Sequence, residues 1–316
     1  MCLLPSISTV AKHVSPVMLM FDDEANGYRN QILPMAHSDL VVQRAICVVA
    51  AFHLSPIMPE LRAPAESGRA AIISKLRHCS ELDERTWTIL ILLIVGDLVT
   101  GHEHVLVLYR MLVSFLDARR QAQNDADGNS PSGLEKFLDY QSRLIAFFAR
   151  PILEEATAIE GFTEALPAPL TSFEQYAPRC TTGSTAAQAH GDTISLVEDL
   201  LRRSTEIYVL RAGSHATEPP DQDYMASRLA GLRAAFAHID LAASGTHTVV
   251  WPAFVGAAEA QTDADRQFFT AILKSIGDST GYGNVLRGLE ALPQIWERQG
   301  SQRWTAALPG LGTVVM

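Results

Sequence analysis

Four residues within one short stretch, Asp97, His102, Glu103 and His104 of "GDLVTGHEHVL", are the best candidate metal ligands in this sequence. Imidazole and carboxylate together suit a divalent transition metal. Their spacing works against it. Histidines at i and i+2 do not share a helical face, so His-x-His needs a strand or turn to converge on one ion. Gly101 marks a helix end just before them, and a solvated turn between helices is the simpler reading. His190 and Asp192 in "AHGD" could be a base and its orienting carboxylate, yet no nucleophile stands beside them. Glu154-Glu155 and Asp22-Asp23-Glu24 could supply paired carboxylates, and read more simply as solvated helix ends. "GYGN" (Gly281 to Asn284) resembles a phosphate loop. It follows a helix rather than a strand and lacks the third glycine, so a glycine stop with Asn284 as the next N-cap is expected. There is no G-x-S-x-G elbow, no G-x-x-x-x-G-K-[ST] loop and no H-E-x-x-H. No catalytic residue, metal ligand or cofactor is assigned, and the residues lining any pocket stay open.

Composition narrows the partners. Net charge is −10 and the isoelectric point about 5.4. Only four of the 25 basic residues are Lys, and none cluster beyond Arg119-Arg120 and Arg202-Arg203. Such a chain repels phosphate backbones, so any DNA contact is expected to be indirect. Cys2, Cys47, Cys79 and Cys180 stand apart with no C-x-x-C, so spacing gives no structural zinc site and suggests a reducing compartment. The N-terminus lacks the pattern of a signal peptide. The longest apolar run, Ile89 to Val95, falls short of the roughly 18 to 20 residues that span a bilayer, and is expected as a buried core helix of a soluble protein.

The elements that would carry these residues scan as helices. Met225, Leu229, Leu232, Phe236 and Ile239 recur at steps of four and three behind a capping Asp221. Phe268, Phe269, Ile272, Leu273 and Ile276 repeat the stripe, as do Val285, Leu286, Leu289, Leu292, Ile295 and Trp296. Pro293 should bend that last helix rather than end it. Ser38, Ser132 (S-x-x-E) and Thr262 (T-x-x-D) are helix starts. With no run of alternating strands, the expectation is all-α: a single multi-helix bundle-like domain over residues 1–316. A loop is expected at about 120–133 and an irregular insert at about 155–192, which Phe162, Phe173 and Tyr176 could pin to the surface.

"VWPAFVGAAEAQTDADR" joins an aromatic-proline pair to a run of small residues. Residues before proline prefer extended geometry and proline suits a first helical turn. Trp251 should therefore close an extended approach and Pro252 begin a helix, with Ala253, Gly256, Ala257 and Ala260 on a face that another helix can approach closely. Trp251 is expected to be a packing anchor.

These pieces together resemble the fungal-specific transcription factor domain, the regulatory region of fungal zinc-cluster activators. The family's W-P-x-F/L-x-x-G/A-x-E-A falls on Trp251, Pro252, Phe254, Ala257, Glu259 and Ala260. Its acidic-Arg pair falls on Asp265-Arg266, its G-x-G-N on Gly281, Gly283 and Asn284, and its helix-ending I/V-W on Ile295-Trp296. "FDDEANGYR" and "LPMA" (Phe21 to Ala36) and the "AFHLS" ending at Ser55 are similar to the family's opening.

The resemblance implies an all-α regulatory module in the nucleus or shuttling to it. It implies a non-enzymatic regulator, partnered by other transcription regulators or by a homo- or heterodimer, with a small-molecule effector as a further partner and no membrane. Control of a metabolic or secondary-metabolite gene cluster would fit. DNA-binding members carry a six-cysteine zinc cluster, a basic linker and a short coiled coil, none of which this sequence matches. Three readings stay open: a cluster-less co-regulator, a sequence missing its first exon, or a scaffold taken up for another task. The alternative is a helical small-molecule-binding protein or enzyme of a fungal biosynthetic pathway.

Overall fold

Apolar side chains that return every three to four residues can be buried together only if the backbone coils into helices. The computed structural model describes residues 7–19, 26–78, 81–102, 105–124, 130–153, 155–165, 185–214, 220–241, 245–299, 302–311 and 315, without the side chains of 123–124, 163–165, 185–190, 246 and 311. All regular structure among them is helical, so the protein is all-α. The chain folds into two compact units, Met1–Ala146 and Phe147–Met316.

The first unit is built around α1 (Leu40–Leu54), α2 (Arg62–Leu76), α3 (Glu84–Thr100), α4 (Val105–Asn124) and the first part of α5 (Gly133–Leu153). The apolar run does become a core helix: α3 is buried without interruption from Thr86 to Val99. It packs against α1 and α4, and α1 also packs against α2. The start of α1 corrects the expected cap by one residue. Asp39, extended at φ −122°, accepts from the amides of Val41 (2.7 Å) and Val42 (3.0 Å). Ser38 instead donates to the Met35 carbonyl. A carboxylate serves there better than a hydroxyl because it also meets the positive end of the helix dipole. At α5 the expected box is complete: the Glu135 amide donates to Ser132 Oγ (3.0 Å) and the Ser132 amide to Glu135 Oε2 (2.9 Å). The family's opening residues are used in the same way. Asn26 Oδ1 accepts from the amides of Tyr28 and Arg29, while its Nδ2 donates to the Ser15 carbonyl.

The second unit contains α6 (Glu155–Ala165), α7 (Thr185–Ala212), α8 (Gln222–Phe236), α9 (Val250–Glu259), α10 (Asp263–Thr280), α11 (Gly283–Arg298) and a closing 3-10 segment, Trp304–Leu311. The irregular insert expected at 155–192 is therefore helical over 155–165 and from 185 onward. Thr185 to Ala189 lacks an apolar stripe, and its alanines suit a helix without one. Phe162 pins nothing to the surface. It is 1% exposed, edge-on to Tyr208 at 5.2 Å. Phe173 and Tyr176 lie outside the described residues, as does the centre of the expected 120–133 loop, whose first residues continue α4. α11 runs through Pro293.

Trp251 corrects another expectation. A 3-10 turn over Thr246–Val249 leads straight into α9, so Trp251 is already helical rather than extended. The preference before proline is a bias, and full burial of the indole outweighs it. The packing role holds: Trp251 is fully buried beside Tyr208, Phe162 and Phe254. So does the close approach. A Cβ on Gly256 would lie 2.5 Å from the ring of Phe269 on α10.

Candidate functional site

The last four carbonyls of a helix lack donors from within it, and burial makes that lack costly. α9 ends inside the second unit, with every residue from Val250 to Ala260 buried. Three side chains from α10 and the end of α11 supply the donors. Trp296 Nε1 donates to the Ala257 carbonyl at 2.8 Å. Gln299 Nε2 donates to Ala258 (2.8 Å) and Ala260 (3.3 Å), and Arg266 Nε to Ala260 (3.3 Å). The Arg266 guanidinium lies 4.9 Å from the Trp296 ring centre and hydrogen-bonds Gln299 Oε1.

Glu259 is the buried hub of this corner. It is 3% exposed, yet Arg211 Nε donates to its Oε2 at 2.9 Å, a second Arg211 nitrogen meets Oε1, and Trp304 Nε1 donates to Oε2 at 2.8 Å. A buried carboxylate persists only with such partners. The hub ties α7, α9 and the closing segment together. Arg303 repeats the device at the end of α7, donating to the carbonyls of Ala212 and Ser214 and to Glu155 Oε2 (2.7 Å). Asp265 completes the corner. Thr262 Oγ1 donates to it at 2.6 Å and Arg233 pairs with it. Those two partners, Thr262 first and then Arg233, hold its carboxyl below the usual range although burial opposes them.

Of the family-motif residues, Glu259, Asp265, Arg266 and Trp296 thus meet at this corner, as joinery, whereas Gly281, Gly283 and Asn284 form the turn between α10 and α11. Gly281 ends α10 in the left-handed region (φ 69°), which suits glycine, and its amide donates to the Gly277 carbonyl. Asn284 corrects its assignment: Tyr282 occupies the N-cap position, and Asn284 lies fully buried in the first turn of α11. Gly283 opens that helix.

The chemistry-bearing candidates disperse. Asp97 is not solvated. It is fully buried on α3, where Arg69 Nη2 of α2 donates to its Oδ2 at 2.6 Å. Gly101 ends α3 with φ 66°, and the His102 amide returns to the Asp97 carbonyl. Glu103 and His104 lie outside the described residues. Among the described residues no group of three His, Cys, Asp or Glu is placed to hold a metal. Asp192 is exposed on α7, and the His190 side chain is outside the described set. Glu155 is ion-paired rather than simply solvated, while Glu154 and Asp22 to Glu24 lie outside the described residues. No described helix is long and apolar enough to cross a membrane.

Sequence reasoning named Asp97 and Glu259 but missed that both carboxylates are buried against arginines. Asp97 did carry a signal, a lone charge inside "LIVGDLV" that only a paired cation could make tolerable. It also missed two clefts of the first unit: one of about 350 Å³ between α1 and α2, and one of about 470 Å³ that α3 and α4 help to line.

Against known proteins, the sequence model described as the fungal specific transcription factor domain matches residues 11–149 and 153–312. No curated protein and no solved structure matches.

Proposed function

The chain belongs to the fungal specific transcription factor domain family, and from that premise we propose that it regulates transcription in the nucleus without enzymatic turnover, through contacts with other regulators. The family match carries this reading. Two further observations support it. The motif residues are taken up by the fold: Arg266 and Trp296 close the end of α9, Glu259 is held by Arg211 and Trp304, and Trp251 is packed against Phe254. The net charge of −10 opposes direct approach to a phosphate backbone, so recruitment runs through a partner that reads DNA. A zinc-cluster-bearing relative, joined as a heterodimer, is the natural candidate. The regulated genes are those of a metabolic or secondary-metabolite cluster, with a metabolite as effector.

Chromatin profiling of the tagged chain, with and without candidate zinc-cluster partners, tests the proposal. Localised occupancy that disappears with one partner is expected. Absence from chromatin in every background overturns it.

The α1–α2 cleft favours a second reading, a small-molecule-binding protein or enzyme of a biosynthetic pathway. Turnover of a pathway metabolite by the purified chain, with no change in transcription when its gene is removed, would establish it over the first.

A further inference from the structure

The connection from Leu54 to Arg62 is short, so α1 and α2, which pack together, run antiparallel. Their register follows from one close contact. A Cβ on Gly68 would come within 2.9 Å of Val48 Cγ2. Opposite each other at one end of the cleft are therefore Val41 and Arg44, early in α1, and Ile72 and Lys75, late in α2. At the other end Ala51 meets Pro64 and Ala65. The cleft is thus polarised, with an apolar body and a cationic mouth.

The two cations have no internal use. Arg44 and Lys75 are exposed, and neither has an ion-pair or hydrogen-bond partner among the described residues. The neighbouring carboxylates are already taken: Glu66 by Arg62, Asp97 by Arg69 and Asp39 by Arg85. Two unspent cations beside an apolar cleft of about 350 Å³, in a chain of net charge −10, make a site complementary to an amphipathic anion.

We propose that this cleft binds a monocarboxylate with a medium-length aliphatic body. The carboxylate sits between Arg44 and Lys75, and the chain runs past Cys47 and Val48 toward Ala65. Such a ligand's role as effector rests on the regulatory reading above, whereas its binding does not.

Decanoate, kept below its micellar concentration, is the probe for the full chain. Titration calorimetry measures binding, and peptide mass spectrometry follows alkylation of Cys47, which is half-buried in the cleft wall. The expected result is one site, protection of Cys47, and affinity lowered about tenfold for each cation removed in Arg44→Ala and Lys75→Ala. Decan-1-ol should bind at least about tenfold more weakly than decanoate for the same reason. Ala71→Leu, at an exposed position of the wall, should block binding while circular dichroism stays unchanged. Undiminished affinity in the double cation variant, equal affinity for the alcohol, or no binding with no protection overturns the proposal. Binding to anionic vesicles in place of monomeric decanoate does so too. If decanoate binds as expected but a reporter to which the chain is tethered never responds, the site stands and the regulatory reading fails.

Discussion

Two short helices, one in each unit, are built on opposite plans. In α9 every residue is buried, whereas in α2 only Ala65, Arg69 and Ile72 are. α9 is all interior, so its end needed donors from three other side chains. α2 lies on its neighbours with a narrow face, fastened by one buried ion pair and open along a cleft. The difference teaches where each helix could change. Around α9 a substitution opens a cavity or strands a polar group, because every residue is buried. α2 keeps the unpaired Lys75 and, with α1, a groove because little of its surface is committed to the fold.

The largest contrast should come from truncating the anchors. Trp251→Ala should cost about 3–5 kcal/mol, and Ile72→Ala on α2 about 2–3 kcal/mol, both read by chemical denaturation. Comparable losses would mean that α2 is as deeply committed as α9. Breaking the buried pairs comes next. Arg69→Ala, which strands Asp97, and Arg211→Ala, which strands Glu259, should each cost about 3 kcal/mol. Replacing Arg69 and Asp97 together with Met and Leu should recover most of the first loss, because no charge is then left buried. Overpacking follows: Gly256→Ala should cost about 1–3 kcal/mol against the buried Phe269 ring, whereas Ala70→Lys on the exposed side of α2 should stay within about 0.5 kcal/mol.

Acid should separate the regions more subtly. Burial, and then the nearby His13, lower the pKa of His53 on α1. Between that lowered value and the ordinary value of about 6.5 the unfolded chain binds the extra proton, so stability falls as pH drops through this window. His53→Gln should blunt the decline in melting temperature. In the α9 corner Asp265 is depressed instead, so its contribution is present above the ordinary carboxylate range and lost only as pH falls through its folded value. Asp265→Asn should flatten that more acidic limb.

Much of the fold was legible because the signals were local. The stripes on α8, α10 and α11, the box at Ser132, and the glycine stops at Gly101 and Gly281 each depend on residues within one or two turns, although Ile239 falls beyond the end of α8 and Leu286 is exposed on α11. The cap at Asp39 was missed by one position because Ser38 and Asp39 are both good caps, and only the backbone angle decides. The helices within 155–192 were missed because alanine-rich segments need no apolar stripe. The ties that matter most were not legible at all. Arg69 reaches Asp97 across 28 residues and Arg211 reaches Glu259 across 48, and only the packing of whole helices brings them together. The cleft was hidden for the same reason: Arg44 and Lys75 mean nothing until α1 and α2 are antiparallel.

The regulatory role can be tested without knowing the partner. Fusing the full chain to an unrelated DNA-binding module and reading a reporter behind that module's sites asks whether the chain alone alters transcription. A change in reporter output, abolished by Trp251→Ala and retained in Ala70→Lys, is predicted. Output identical to that of the DNA-binding module by itself, from a fusion that is folded and nuclear, would contradict it.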